Sequence, residues 1–151
     1  SESRSFVTDP TLPECPQIKI VRVDGSFFFG ALHHIQKMFR IFELRQPDQH
    51  HLLLISFAIN RIDVSGAEFL AREAERRIAL GGQLYLYRPK AQMVGLLKRG
   101  GYTSLIPEEN VFRSKRAAIA HMVDQVDHNI CRTCTKRIFL ECSDLPDQRD
   151  E

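Results

Sequence analysis

The amino-acid sequence predicts an α/β domain with a mixed sheet of four or five strands and helices packed mainly on one side. Short apolar runs alternate with longer segments whose apolar residues recur every three or four positions, and the connections between them are short. One run, residues 52–57, is apolar almost throughout rather than at alternate positions. Such a strand is covered on both faces, as in the middle of a parallel sheet. Because a parallel crossover needs about a helix's length, the alternation favours mostly parallel strands.

The size and composition suit one globular domain. The chain has 151 residues, of which 43% are hydrophobic and 26% charged, so it can bury roughly 70% of the surface that its unfolded form exposes. Its longest apolar run is far shorter than the roughly 20 residues that cross a bilayer. The formal net charge of +2 lacks the dense basic stripe of nucleic-acid-binding proteins. We therefore predict no nucleic-acid partner.

Three parts are predicted along the chain: an extended leader at 1–16, a folded domain at 17–127 and a C-terminal tail at 128–151. The leader contains three prolines, which lack the backbone N–H that a strand ladder needs. The chain begins with serine rather than methionine, and its start has no basic segment followed by an apolar one. We therefore expect the chain to follow another part of a longer protein.

The first elements are predicted as a hairpin followed by a helix. Residues 18–23 suit a half-exposed strand, and Asp24 and Gly25 mark a turn into a second short strand at 26–29. A helix is predicted at 31–44. Its apolar residues share one face: Leu32, Ile35, Met38, Phe39 and Phe42.

A second long helix is predicted after the buried strand at 52–57 and a short linker that contains Ile59 and Ile62. Ser65 and Glu68 have the spacing of a capping box, in which Ser65 is the N-cap residue, and Gly81 and Gly82 end the helix. The remaining elements are predicted in this order: a strand at 84–87, a helix from Pro89 to about Arg99, a short strand at 102–106, and a last helix capped by Ser114 that runs to Val126 or beyond.

The segment 52–66, LLLISFAINRIDVSG, resembles the STAS domain family, which sulfate permease anion transporters and anti-sigma factor antagonists share. The family's pattern is a buried strand and then an Asp-x-Ser/Thr-Gly turn that opens the second helix. Asp63, Ser65 and Gly66 fill those positions. The order of elements on both sides matches as well, so the resemblance covers about 17–127 and implies a STAS-type fold.

The resemblance implies a cytoplasmic, non-catalytic regulatory domain of a sulfate permease (SulP) family anion transporter in the inner (plasma) membrane. The proline-bearing leader and the tail favour this branch of the family. Its expected partners are the transmembrane domain of the same transporter, a second copy or a soluble protein, docked around Asp63, Ser65, Gly66 and Phe69. We predict no cofactor. Some STAS domains are proposed to bind nucleotides, but this sequence has neither a P-loop nor a dinucleotide-binding glycine motif, so any such site is expected to be weak.

The alternative is a stand-alone signalling protein of the anti-sigma factor antagonist type, switched by phosphorylation at Ser65. In those antagonists the corresponding serine is phosphorylated, and the added charge breaks a protein complex. This sequence has Val64 where they often carry another serine. A purely structural role for Ser65, as a helix cap, is also compatible with the pattern.

The tail contains a candidate zinc site. Cys131 and Cys134 have the spacing of thiolates that share one tetrahedral ion, and His128 with Cys142 completes a Cys3His set. The alternative is a helix end with free thiols. We identify no catalytic Ser/His/Asp or Cys/His set, so an enzyme is not predicted.

Overall fold

The computed structural model describes residues 14–147. Most of the predicted leader, 1–16, therefore lies outside the described residues. The elements run in this order: β1 (Ile18–Arg22), β2 (Gly25–Phe27), α1 (Phe29–Arg45), β3 (His51–Ile55), β4 (Ile59–Ile62), α2 (Val64–Ala79), β5 (Leu84–Tyr87), α3 (Ala91–Arg99), a short 3-10 helix (Glu108–Asn110), β6 (Val111–Phe112), α4 (Lys115–Gln125), α5 (His128–Thr133) and a second 3-10 helix (Leu140–Asp144).

Four strands form the main sheet in the order β1-β3-β5-β6. Its neighbouring strands are all parallel. Every residue of β3 is buried, which confirms that the continuous apolar run forms a central strand. The α/β class and the four-stranded sheet are confirmed, whereas the strand pairs of residues 14–147 are parallel rather than mixed in direction.

The predicted hairpin between β1 and β2 is wrong. β1 pairs with β3 and β2 pairs with β4, both in parallel. Gly25 adopts a φ of +98°, which suits glycine, and its amide bonds to the carbonyl of Ala58 at 2.9 Å. The turn therefore carries the chain into a second, two-stranded sheet instead of back along β1. Residues 59–62, predicted as part of a linker, supply the partner strand.

The main sheet separates two apolar cores. On one face, alternate residues such as Leu54 and Leu86 pack against α1, α2 and α3. On the other face, Leu53 and Tyr85 pack against α4 and the tail. Three helices thus lie on one side, as predicted, and the tail helps to cover the other.

The predicted helices are confirmed within a few residues, and Ser114 caps α4 by accepting a hydrogen bond from the amide of Ala117 at 3.2 Å.

The strand predicted at 102–106 is wrong. Gly101, with a φ of +76°, ends α3, and the amides of Tyr102 and Ile106 bond within the following turns. The last strand is β6. No helix within the described range is long and apolar enough to cross a membrane.

Candidate functional site

Two helices begin side by side because the strands that lead into them are parallel neighbours. β2 pairs with β4 so that Phe27 lies beside Ile62. α1 begins at Phe29 and α2 at Val64, each just beyond its strand. The first amides of a helix have no partner within the helix and carry a partial positive charge. The two helix starts therefore favour an acceptor placed between them.

Asp63 is that acceptor. Its Oδ1 accepts a hydrogen bond from the amide of Gly66 at 2.9 Å, and its Oδ2 accepts one from the amide of Phe29 at 3.3 Å. Neither helix has an acidic residue in its own first turn, and Phe28, the N-cap residue of α1, makes no side-chain cap bond. One carboxylate thus caps α2 and also satisfies an amide of α1.

The prediction that Ser65 caps α2 is wrong. Pairing with β2 keeps β4 extended through Ile62, and Asp63 is the last extended residue, with φ −113° and ψ −177°. Ser65 therefore already lies in the first turn of the helix. Glu68 does not complete a capping box either, because it accepts from Arg72 at 2.6 Å. The helix begins two residues earlier than the serine spacing predicted.

Glycine is required at position 66 because the backbone of Phe27 packs closely against it, and not because of an unusual backbone angle. A Cβ atom at this position would lie 2.1 Å from the carbonyl oxygen of Phe27 and 2.9 Å from a side-chain carbon of Ile62. The absence of a side chain lets the end of β2 pack directly on the first turn of α2. This contact explains physically why the Asp-x-Ser-Gly turn ends in glycine.

A groove of about 550 Å³ lies between α1 and α2, and it includes both helix starts. Phe29, which is 77% exposed, contributes to it together with Ser65 and Phe69. Phe69 packs against Phe27 and Phe39, with ring centroids 5.7 Å apart in each pair. Its ring therefore belongs both to the groove and to the core beneath it.

Charged side chains of both signs also line the groove. Arg76 bonds to Glu43 of α1 at 2.6 Å and to Glu73 at 2.8 Å, while Arg72 bonds to Glu68. These pairs are partly exposed, so each contributes at most about 1 kcal/mol to stability. The groove thus offers an apolar contact beside alternating charges, which suits recognition of another protein segment more than chemistry on a small substrate.

A larger cavity, of about 960 Å³, lies at the carboxyl edge of the main sheet. Its charged lining residues follow or face β5 and β6: Arg88, Lys90, Lys98, Glu108 and Arg113. Sequence reasoning missed this cavity, although Arg88, a basic residue directly after the predicted strand at 84–87, was an available signal. The carboxyl edge of a parallel sheet is a common ligand site. That no cofactor binds, and that any nucleotide site is weak, stays a prediction.

A buried histidine lies near the amino end of β3. His51 is 6% exposed, and its Nδ1 lies 3.0 Å from the hydroxyl oxygen of Tyr85. Burial lowers the pKa of His51 to about 4, and the nearby His50, Arg77 and His121 act in the same direction. Burial also raises the pKa of Tyr85 to about 12. The pair is therefore neutral near pH 7.

The predicted zinc set is only partly brought together. Cys131, Cys134 and Cys142 line one small cavity, whereas the Nε2 of His128 lies 2.9 Å from the carbonyl oxygen of Val123. Cys15, which the sequence pattern left out, lines the same cavity. Within residues 14–147 no three His, Cys, Asp or Glu side chains are already arranged to hold a metal ion. Burial raises the pKa of the Cys15 and Cys131 thiols.

The described residues thus form an α/β domain in which α1 and α2 begin side by side and a groove lies between them. The STAS domain family model matches residues 9–118. The chain therefore belongs to the STAS domain family. Comparison with curated proteins finds no match.

Solved structures share this fold. A murine Solute Carrier 26 family member A9 (Slc26a9) anion transporter is 22% identical with a TM-score of 0.62, over 74% of this chain and 18% of that one. A sulfate transporter family protein from Wolinella succinogenes is 24% identical with a TM-score of 0.60, and the match covers 72% of this chain and 86% of that protein. The anti-sigma factor antagonist SpoIIAA, in its unphosphorylated form, is 12% identical with a TM-score of 0.63, and the match covers 83% of this chain and 100% of SpoIIAA. The chain thus spans about 18% of the Slc26a9 transporter that it matches.

Proposed function

We propose that this chain is a non-catalytic regulatory and interaction domain of a sulfate permease (SulP) family anion transporter, with sulfate as the transported anion. On this proposal it lies on the cytoplasmic side of the inner (plasma) membrane and binds the transmembrane domain of the same transporter. Membership of the STAS domain family and the fold shared with two transporter proteins support it. The observation that carries the proposal is the groove between α1 and α2.

The groove has the composition of a binding surface. Phe29 presents an aromatic ring that is 77% exposed at the start of α1. Aromatic residues and arginines contribute most of the binding energy in many interfaces, where charged residues surround an apolar centre. Phe29 and Arg72 supply both kinds of side chain here. A segment of the membrane domain with an apolar side chain between charged ones fits this pattern.

The groove also supports a non-catalytic role. Among its described lining residues, the titratable ones are arginines and glutamates, and Ser65 is the hydroxyl-bearing residue. Activation of a serine nucleophile needs a neighbouring base within hydrogen-bond reach, most often histidine. The glutamates that line the groove are instead engaged by arginines.

The proposal is tested by the gene upstream of Ser1 and by binding to what that gene encodes. We expect about ten apolar segments of membrane-spanning length there. The chain should then bind the separately expressed membrane domain, and Phe29→Asp should weaken binding at least tenfold. Leu44→Asp is the matched control, because Leu44 is 82% exposed on the same helix but lies outside the groove. A start codon close to Ser1, or equal loss in both variants, would contradict the proposal.

A stand-alone, phosphorylation-switched antagonist is the second candidate function, and the position of Ser65 favours it. Ser65 is half-buried in the first turn of α2 and lines the groove. A phosphate there would add a charge of about −1.5 to −2 at a helix N-terminus, beside the carboxylate of Asp63. Partner release on phosphorylation follows from that added charge. Mass spectrometry of the chain from its own cells supports this candidate only if Ser65 is phosphorylated.

A further inference from the structure

All four cysteines of the sequence line one small cavity, although they come from three separate parts of the chain. Cys15 precedes β1, Cys131 and Cys134 lie in and directly after α5, and Cys142 lies in the second 3-10 helix. The cavity has a volume of about 20 Å³, which is room for a single small ion or water molecule. Four thiols around a space of this size match the ligand number of a structural zinc site.

The buried side chain of Gln17 holds the start of β1 against α5. Its Oε1 accepts from the amide of Asp127 at 2.9 Å, and its Nε2 donates to the carbonyl of Asp127 at 3.0 Å and to the Sγ of Cys131 at 3.6 Å. These bonds bring Cys15, two residues before Gln17, to the thiols of the tail. Hydrogen bonds from outer-shell side chains orient the ligands of metal sites, and the bond from Gln17 to the Sγ of Cys131 has this form.

Arg137 organises the tail around the same cavity. Its guanidinium donates to the carbonyl of Cys131 at 3.0 Å, to that of Cys142 at 2.7 Å and to that of Leu145 at 3.1 Å. Two of these carbonyls belong to cysteines that line the cavity, so one side chain fixes the backbone that carries them. Burial raises the pKa of the Cys131 thiol, and the positive charge of Arg137 opposes that rise.

We propose that Cys15, Cys131, Cys134 and Cys142 bind one Zn²⁺ ion in a tetrahedral site. Within residues 14–147 no three of these side chains are already arranged to hold an ion, so the site requires the sulfur atoms to move closer together. Binding releases the four thiol protons, and the ion then draws the sulfur atoms inwards to about 2.3 Å from the metal. α5 and the second 3-10 helix are short, at six and five residues, and adjust as units.

Cys15 therefore replaces His128 as the fourth ligand. His128 is turned towards the carbonyl of Val123, at 2.9 Å, and does not line the cavity. The ion would join the segment before β1 to the tail, so that both ends of the described chain are held against the second core. Zn²⁺ is favoured because four thiolates in a closed, tetrahedral arrangement suit it.

The test is metal analysis of the full chain purified without chelators, under reducing conditions. We expect about one zinc per chain, with at least tenfold less in Cys15→Ser and Cys142→Ser. His128→Ala is the matched control and should retain its zinc. Loss of zinc in His128→Ala with retention in Cys15→Ser would overturn the proposed ligand set.

Cobalt titration of the reduced, metal-free wild type covers the case in which the cysteine variants do not fold. Co²⁺ should give sulfur-to-metal charge-transfer absorption and the visible bands of a tetrahedral ion at one equivalent, and Zn²⁺ should abolish both. Four thiols that react freely before and after addition of Zn²⁺, without a cobalt spectrum, would overturn the proposal.

Discussion

Replacing Asp63 with alanine is expected to destabilise the domain far more than the same change at Ser65. Loss of the cap bond to Gly66 costs about 1 kcal/mol, and loss of the bond to the amide of Phe29 costs about another 1 kcal/mol. Because Asp63 makes both bonds, the free energy of unfolding of Asp63→Ala should fall by about 2 kcal/mol. For a domain of this size, that lowers the Tm by roughly 4–8 °C.

Urea denaturation of the two single variants measures this difference directly. Ser65→Ala should change the free energy of unfolding by less than about 0.5 kcal/mol, since Ser65 lies within the helix and alanine is a good helix former. Asp63→Asn keeps an oxygen acceptor but loses the charge, so its loss in free energy of unfolding should lie between those of Ser65→Ala and Asp63→Ala. A larger loss in Ser65→Ala than in Asp63→Ala would refute the assignment of the cap.

Two further predictions concern a close contact and a buried titratable group. Gly66→Ala should destabilise the fold by at least about 2 kcal/mol, because its Cβ would clash with the Phe27 carbonyl. Gly95→Ala, in α3, is the control and should be neutral or stabilising, because its Cβ would meet only the flexible end of an arginine. The pKa of His51 is lowered from 6.5 to about 4 in the folded protein. The stability that depends on neutral His51 is therefore fully present above about pH 6.5. As the pH falls from there to about 4, stability should decline by about 3 kcal/mol in urea titrations, and much less in His51→Gln.

The main sheet could be predicted from sequence because burial leaves a strong pattern. Leu52, Leu53 and Leu54 are apolar on both faces, and the structure buries all three in a central strand. β4 could not be predicted in this way. Its residues run buried, exposed, exposed, buried, which does not match strand alternation, and four residues are too few to define a helical period. The second sheet and the direction of β2 depend on that strand.

In the candidate site, too, the sequence alone does not decide which single residues make the key contacts. Asp63 and Ser65 are both good N-cap residues, and the serine also has a glutamate at capping-box spacing. The choice between them depends on how far β4 stays paired with β2, which is a tertiary property. Cys15 is another example, because local spacing groups only the tail residues, and the side chain of Gln17 brings Cys15 to them.

We propose that the groove beside Phe29 contacts the membrane domain of a transporter. Site-specific photo-crosslinking in the intact protein would detect this contact, with a photoreactive residue in place of Phe29 or, as the control, of Leu44. We expect a crosslink to the membrane domain from position 29 and none from position 44. A crosslink from position 44 alone, or equal crosslinking from both positions, would contradict the claim.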